Sequence, residues 1–297
     1  MTTLLAVGLG YSARQLIATD PGPFTRVIGT SRTEAGAAII GTLGTPDLAV
    51  EGLVFDGTTL TAPLADAIAE ADVLLLSAPP EAEGDPLLVA GREALRASPR
   101  LKQILYLTTL GVYGDHQGAW VDETTVPRAG SARLERRLAA EAGLQAFGRD
   151  QGIPVAVLRL AGIYGPGRNV LRQVARGEAR RIDKPDQVFN RIHVDDIAGA
   201  IRAAVAHRFD GIVNVTDDLP APPGDPIAFA AELLGVAPPP AVPFAEAARE
   251  MSPMALTFWA SNKRVRNGVL THTLGVKLLY PTYREGLSAL HAEGDAA

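Results

Sequence analysis

No cysteine occurs among the 297 residues, which removes disulfides, thiolate nucleophiles and thiolate metal sites together and fits an intracellular setting. Histidine is scarce as well: the five present, at 116, 193, 207, 272 and 291, show no ligand spacing, so no metal site is expected. No apolar run approaches the ~20 residues that cross a bilayer, and no membrane association is expected. A strand-like apolar stretch starts almost at Met1 without a basic leader, so the expected location is cytoplasmic. Positive charge is in deficit: 28 Lys and Arg against 33 Asp and Glu leave a net charge of −5. Such a chain has no broad positive field with which to gather nucleic acid. No internal repeat or low-complexity tract is present. What remains is a chain with 47% apolar residues, long enough for one large α/β domain or for one domain with a smaller appendage.

Short apolar runs recur with helical segments between them: "TLLAVGLG", "RVIGTSR", "GLVFDG", "DVLLLSAP", "QILYLTT" and "VAVLRLAG", with "IVNVTD" later. Continuous apolar strands alternating with helices are what a parallel sheet covered on both faces requires. The expected fold class is therefore α/β, a Rossmann-type doubly wound parallel sheet. After Asp217 the segments "DDLPAPPGDP" and "VAPPPAVP" place prolines where no helix or central strand could continue. The spacing predicts a dinucleotide-binding domain over 1–165, with 191–216 returning to it, and a small C-terminal substrate lobe from 166–190 and 217–297.

The first strand runs into "AVGLGYSARQLI", which reads G-x-G-x-x-A through Gly8, Gly10 and Ala13. The first glycine permits a tight turn, the second lets a pyrophosphate approach the backbone, and the small third residue lets helix and strand pack closely. Phosphates would then meet the amino end of a helix at Tyr11 and Ser12. The same pattern would also serve a plain strand-to-helix turn. No acid ends the second strand to bind a ribose 2′-hydroxyl; Ser31 and Arg32 stand there. That points to NADP, with NAD as the alternative coenzyme and an ordinary surface arginine as the bland reading. Asp56 ends the third strand, where it could reach adenine or cap a turn. Ser77, Ala78 and Pro79 follow the fourth strand, at the carboxyl edge where the middle of the coenzyme would lie or where prolines simply end a strand.

These segments, with "LTTLGVYGD", "LRLAGIYGPGRN", "RIHVDDIAGAI" and "VNVTDD", resemble the extended short-chain dehydrogenase/reductases, the NAD-dependent epimerase/dehydratase family. The resemblance covers nearly the whole chain. It implies hydride transfer on a small substrate, often a nucleotide sugar, and pairing as a homodimer through helices beside the site. It also implies that Thr109, four residues ahead of Tyr113, hydrogen-bonds the reacting oxygen. The family's proton transfer comes from a tyrosine and a lysine spaced Y-x-x-x-K, and here the sequence departs. None of the six tyrosines has a lysine four residues later, and only four lysines exist.

Matching Glu141 to the family's usual acid puts Arg133 and Arg137 at the two places. The i, i+4 spacing keeps both on one helical face, but an arginine does not give up its proton near neutral pH. Arg137 could hold a ribose hydroxyl or a phosphate, or both arginines could be solvated charges. Tyr113, His116 and Tyr164 are the candidates to replace the phenol, and Tyr113 is carried with Thr109 as the catalytic expectation. Arg168 and Arg191 suit an anionic substrate through their planar donor forks. His193 is expected to brace a turn, with Asp195 and Asp196 capping the helix that follows. Three functions remain open: a hydride-transferring enzyme, a catalytically silent NADP-binding sensor or scaffold, and a protein for a different nucleotide.

Overall fold

The computed structural model describes residues 2–296. At its centre lies a sheet of seven parallel strands: β1 (Thr2–Val7), β2 (Phe24–Ser31), β3 (Ala49–Val54), β4 (Val73–Leu76), β5 (Gln103–Thr109), β6 (Val155–Leu160) and β7 (Gly211–Val215). Their spatial order is β3-β2-β1-β4-β5-β6-β7, the Rossmann order with its reversal between β1 and β4. A crevice opens at that point because the following chain leaves β1 and β4 toward opposite faces. Successive residues of a strand point to opposite faces, and the apolar runs of the sequence supply both. Leu4 and Ala6 face the helices Tyr11–Thr19 and Val194–Ala206 through Leu16, Ile197 and Ile201. Leu5 and Val7 face the helices Ala62–Glu70 and Ala132–Gln151 through Leu64, Ile68, Leu144 and Phe147.

Beyond the carboxyl edge of the sheet a separate apolar cluster joins Leu171, Ala230, Tyr283, Leu287 and Leu290. It is built from the helices Val170–Ala175, Asp225–Leu233 and Tyr283–Ala292. Prolines open helices here: Pro226 and Pro253 each sit in a first turn, where the missing N–H would have had no partner. Not all of the chain after 217 stays in this cluster. Arg264–Val265 pairs in parallel with Trp120–Val121, and Leu270 and Leu274 join the core beneath the sheet. The expected cap of the helix Val194–Ala206 also differs. His193 is the capping residue, its Nδ1 accepting from the Asp195 N–H at 3.2 Å. Asp196 instead accepts the N–H groups of Leu279 and Tyr280 at 2.7 and 3.2 Å and so fastens the C-terminal segment to the sheet domain. No helix among the described residues is long and apolar enough to cross a membrane.

One buried ion pair stands behind the sheet's carboxyl edge. Arg159, on β6, donates from Nε and Nη2 to Glu141 Oε2 at 3.2 and 2.7 Å, both side chains being 3% exposed. Its guanidinium also lies 4.9 Å from the centre of the Tyr113 ring. Removing one member of a buried pair strands the other charge. Glu141→Ala is therefore expected to lower the unfolding free energy by about 3–5 kcal/mol, measured by urea denaturation.

Candidate functional site

The turn after β1 is built as the glycine pattern requires. Gly8 has φ of +83°, and a Cβ there would meet the Ala78 N at 3.1 Å, so both conformation and space exclude a side chain. Gly10 differs: a Cβ on it would find nothing nearer than the Gly8 carbonyl at 3.8 Å, which leaves open room in front of the helix. That helix begins at Tyr11 with no side-chain cap and no acidic residue in its first turn. Its first N–H groups therefore face the open room without partners, which is the donor set a diphosphate needs. Ala13 is buried at the helix–sheet contact. Two neighbouring strands hold the turn: the Gly8 N–H donates to Thr30 Oγ1 at 3.0 Å, and Ser77 Oγ donates to the Gly8 carbonyl. The residues present thus fit a dinucleotide.

Other residues expected on the coenzyme side fare unequally. Ser12 is buried beside the open helix end, Ser31 is half-buried and Arg32 is exposed at the end of β2. Ala78 and Pro79 line the exit from β4, the first half-buried and the second exposed. The Tyr11 phenol is committed across the crevice, donating to the Pro166 carbonyl at 2.9 Å under the Arg168 guanidinium, 5.8 Å from its ring centre. Burial pushes this phenol's pKa up to about 12. Asp56 is exposed, and its carboxylate accepts the Thr58 and Thr59 N–H groups at 2.7 and 2.9 Å. Those bonds, led by the Thr58 N–H, draw its pKa down to about 2. It is a turn aspartate. Arg137 donates to the Leu107 carbonyl at 3.3 Å, a bond that ties it to the β5 backbone.

Between the sheet edge and the small lobe lies a cavity of about 710 Å³. Thr109, at the end of β5, is on its wall. The Thr109 Oγ1 accepts the Gly111 N–H at 3.1 Å and so caps the short turn Leu110–Tyr113. A hydroxyl that accepts in this way keeps its proton for another acceptor. Rings of Phe189, Phe258, Trp259 and Tyr283 contribute apolar wall. The charged lining among the described residues is one-sided: Arg128, Arg133, Arg168, Arg191 and Lys263 against the single carboxylate of Asp115. Arg191 is held at the back, donating to the carbonyls of Phe189 and Ala221 at 3.1 and 3.4 Å. Burial depresses its pKa against the pull of nearby Asp217, whose own carboxyl burial pushes up to about 8.

Tyr113 has to be corrected from the catalytic expectation. It is fully buried, and its phenol donates to Asn214 Oδ1 on β7 at 2.9 Å. The turn capped by Thr109 swings the side chain under the sheet edge, away from the cavity. Of the other substitutes for the phenol, His116 folds back so that Nε2 lies 3.0 Å from the Tyr113 carbonyl. Tyr164 is on the cavity wall, but its hydroxyl points into the lobe toward the Thr282 carbonyl at 3.4 Å, and burial raises its pKa. Arg133 does face the cavity, 5.9 Å from the Phe258 ring centre. Sequence reasoning missed Lys263 and the rings of Phe258 and Trp259. The signal was compositional: "SNK" carries one of only four lysines in a chain with 28 basic residues.

The sequence model of the NAD-dependent epimerase/dehydratase family matches residues 88–216. Protein YeeZ of Escherichia coli K12 is 31% identical over 252 residues, 80% of this chain and 86% of its own length. The chain belongs to the NAD-dependent epimerase/dehydratase family. A second relative, a Streptomyces 3-diazoavenalumate denitrifying reductase, is 34% identical over 142 residues, and the match spans only 45% of that protein and 44% of this chain. A solved structure from Silicibacter pomeroyi, of unknown function, is 44% identical with a TM-score of 0.86 over 99% of both chains. The UDP-glucuronic acid 4-epimerase of Bacillus cereus, solved with NAD, shares the fold with a TM-score of 0.73 at 17% identity over 97% of both chains. Arg133 and Arg137 stand four residues apart on the helix Ala132–Gln151, and no tyrosine of the chain has a lysine four residues later. Tyr113→Phe should leave NAD(P)H binding, read by calorimetry, unchanged, while the stranded Asn214 oxygen lowers stability by about 1–3 kcal/mol in denaturant titrations.

Proposed function

We propose that the protein is an NADP-preferring oxidoreductase or epimerase/dehydratase-like enzyme that moves hydride to or from a small anionic substrate with an apolar body. The observation that carries the reading is continuity along one edge. The open helix end behind Gly10 and the hydroxyl of Thr109 lie at the carboxyl ends of β1 and β5, and the cation-rich cavity opens beside Thr109. A nicotinamide coenzyme held there would supply the hydride. Gly8 and Gly10 shape the bend, Tyr11, Ser12 and Ala13 present backbone N–H groups to its phosphates, and Ser31 with Arg32 is placed for a ribose 2′-phosphate. Thr109 orients the reacting oxygen with its free proton. Arg168 and Arg191 grip phosphate or carboxylate, and the rings of Phe258 and Trp259 take the apolar part. A nucleotide sugar meets these demands, as does another phosphate- or carboxylate-bearing carbonyl compound.

The arginines at 133 and 137 favour a second reading, an NADP-binding sensor that has lost the proton-transfer pair. NADPH binding with no coenzyme oxidation across a panel of nucleotide sugars, aldehydes and α-keto carboxylates decides for the sensor. For the enzyme, Thr109→Ala is expected to cut NADPH oxidation by about 100-fold or more with the coenzyme Kd unchanged. Arg32→Ala is expected to weaken NADPH by about 10-fold or more and NADH hardly at all, measured by isothermal titration. An unchanged ratio of the two affinities would remove the NADP assignment.

A further inference from the structure

We propose that Lys263 is the acid that gives a proton to the substrate's reacting oxygen, in the place left by the missing tyrosine. This deepens the oxidoreductase reading and rests on it.

Elimination and geometry both lead there. A group that serves as acid must reach the cavity and must release a proton near neutral pH. The five cations on the wall include four arginines, which hold their protons, and no histidine lines the cavity among the described residues. The two tyrosines on the wall, Tyr164 and Tyr283, turn into the small lobe's own core cluster. Lys263 remains. It enters from the lobe side, immediately before the segment Arg264–Val265 that pairs with Trp120–Val121, and only 7% of it is exposed.

The ammonium is held by two acceptors. Nζ donates to the Gly114 carbonyl at 3.0 Å and to Ser261 Oγ at 2.6 Å, while Ser261 Oγ itself donates to the Gly114 carbonyl at 2.7 Å. An ammonium has three donors, so one is left for a ligand. Gly114 closes the turn that Thr109 opens. The lysine and the threonine hydroxyl are therefore fixed to the two ends of one short turn and share one cavity. Gly114 cannot drift from this place: its φ is +71°, and a Cβ would come within 2.0 Å of the Arg128 carbonyl.

Burial brings this ammonium's pKa down to about 8, with Asp115 alone pulling the other way. The remaining charged groups on the cavity wall, Arg128, Arg133, Arg168 and Arg191, are cations. In the reducing direction the carbonyl carbon accepts hydride from a dihydronicotinamide, and the C=O π pair moves to oxygen. That oxygen takes a proton from Nζ, leaving alcohol, oxidised coenzyme and a neutral amine that water reprotonates. Reduction thus needs the ammonium and weakens as pH rises through about 8, whereas oxidation needs the amine and strengthens over the same range.

The test uses full-length protein with ¹³C,¹⁵N-labelled lysine, whose four side chains give four Cε signals, Lys263 being assigned by its loss in Lys263→Arg. With and without NADPH, the Lys263 signal is expected to titrate near pH 8. Titration of the Lys263 signal at the ordinary lysine value of about 10.4 overturns the proposal whether or not any substrate is turned over. NADPH oxidation is then followed from pH 6 to 10 on aromatic aldehydes, α-keto carboxylates and UDP-sugars. Lys263→Arg keeps the cation and the clip on Gly114, so its melting midpoint and NADPH Kd stay at wild-type values, while kcat falls about 100-fold or more and the limb near pH 8 disappears. A variant with wild-type kcat and pH profile overturns the role of Lys263 alone. Wild-type protein that binds NADPH and oxidises it with no compound overturns the oxidoreductase reading and this role with it.

Discussion

The site depends on the bend after β1 being pinned from both sides. Gly8 takes a conformation that other residues rarely adopt, and its two peptide groups are held by Thr30 from β2 and by Ser77 just after β4. These are the two strands that flank β1, one on each side of the topological reversal. Every later feature inherits its position from this register: the uncapped helix end behind Gly10, the exit of β4 past Ala78, and the line along the carboxyl edge to Thr109. A side chain at residue 8 would push β4 away from β1 at the place where the crevice has to form.

At the other end of that line the segment after β5 is partly structural. Tyr113 lies between Arg159 and Asn214, Arg159 is paired with Glu141, and the Asn214 N–H donates to Glu123 at 2.8 Å. This buried set links β6, β7 and the long helix Ala132–Gln151 behind Thr109. Its bonds tie the capped turn to the sheet and the helix, although Glu141 Oε1 and Arg159 Nη1 are buried without a hydrogen-bond partner among the described residues. The tyrosine is thus kept for packing and hydrogen bonding, and its phenol, raised in pKa by burial, has no route to a substrate.

Period and punctuation made the framework legible. The seven apolar runs all became strands because a doubly covered parallel sheet leaves an unmistakable pattern of continuous hydrophobic segments, and the glycine spacing located the tight bend after β1 because its steric demands are local. The family resemblance located Thr109. What stayed hidden was set by tertiary contacts. Whether Asp56 reaches out or turns on Thr58, or whether His193 or the aspartates cap a helix, depends on rotamers that spacing does not record. Lys263 lies 154 residues after Thr109 in the chain, and only the packing of the lobe on the sheet brings the two to one turn. The return of Leu270 and Leu274 to the sheet core was masked by the proline-rich stretches before them, which read as the start of a separate unit.

The burial of Lys263 bears on why a lysine stands there at all. Clipping Gly114 to Ser261 needs no charge; an amide side chain could donate to the same carbonyl without the penalty of desolvating an ammonium. Because the folded-state pKa lies below the ordinary lysine value, the unfolded chain binds more protons between about pH 8 and the ordinary value. Stability contributed by this residue therefore rises with pH across that window and is lowest where the folded protein has to carry the charge. A fold that tolerates this at neutral pH keeps a disfavoured cation inside a cavity that already holds four arginines, with Asp115 as its nearest compensation. Such a position weakens a structural clip but suits a group whose work is to lose its proton, so the energetic disadvantage and the proposed chemistry have the same physical origin.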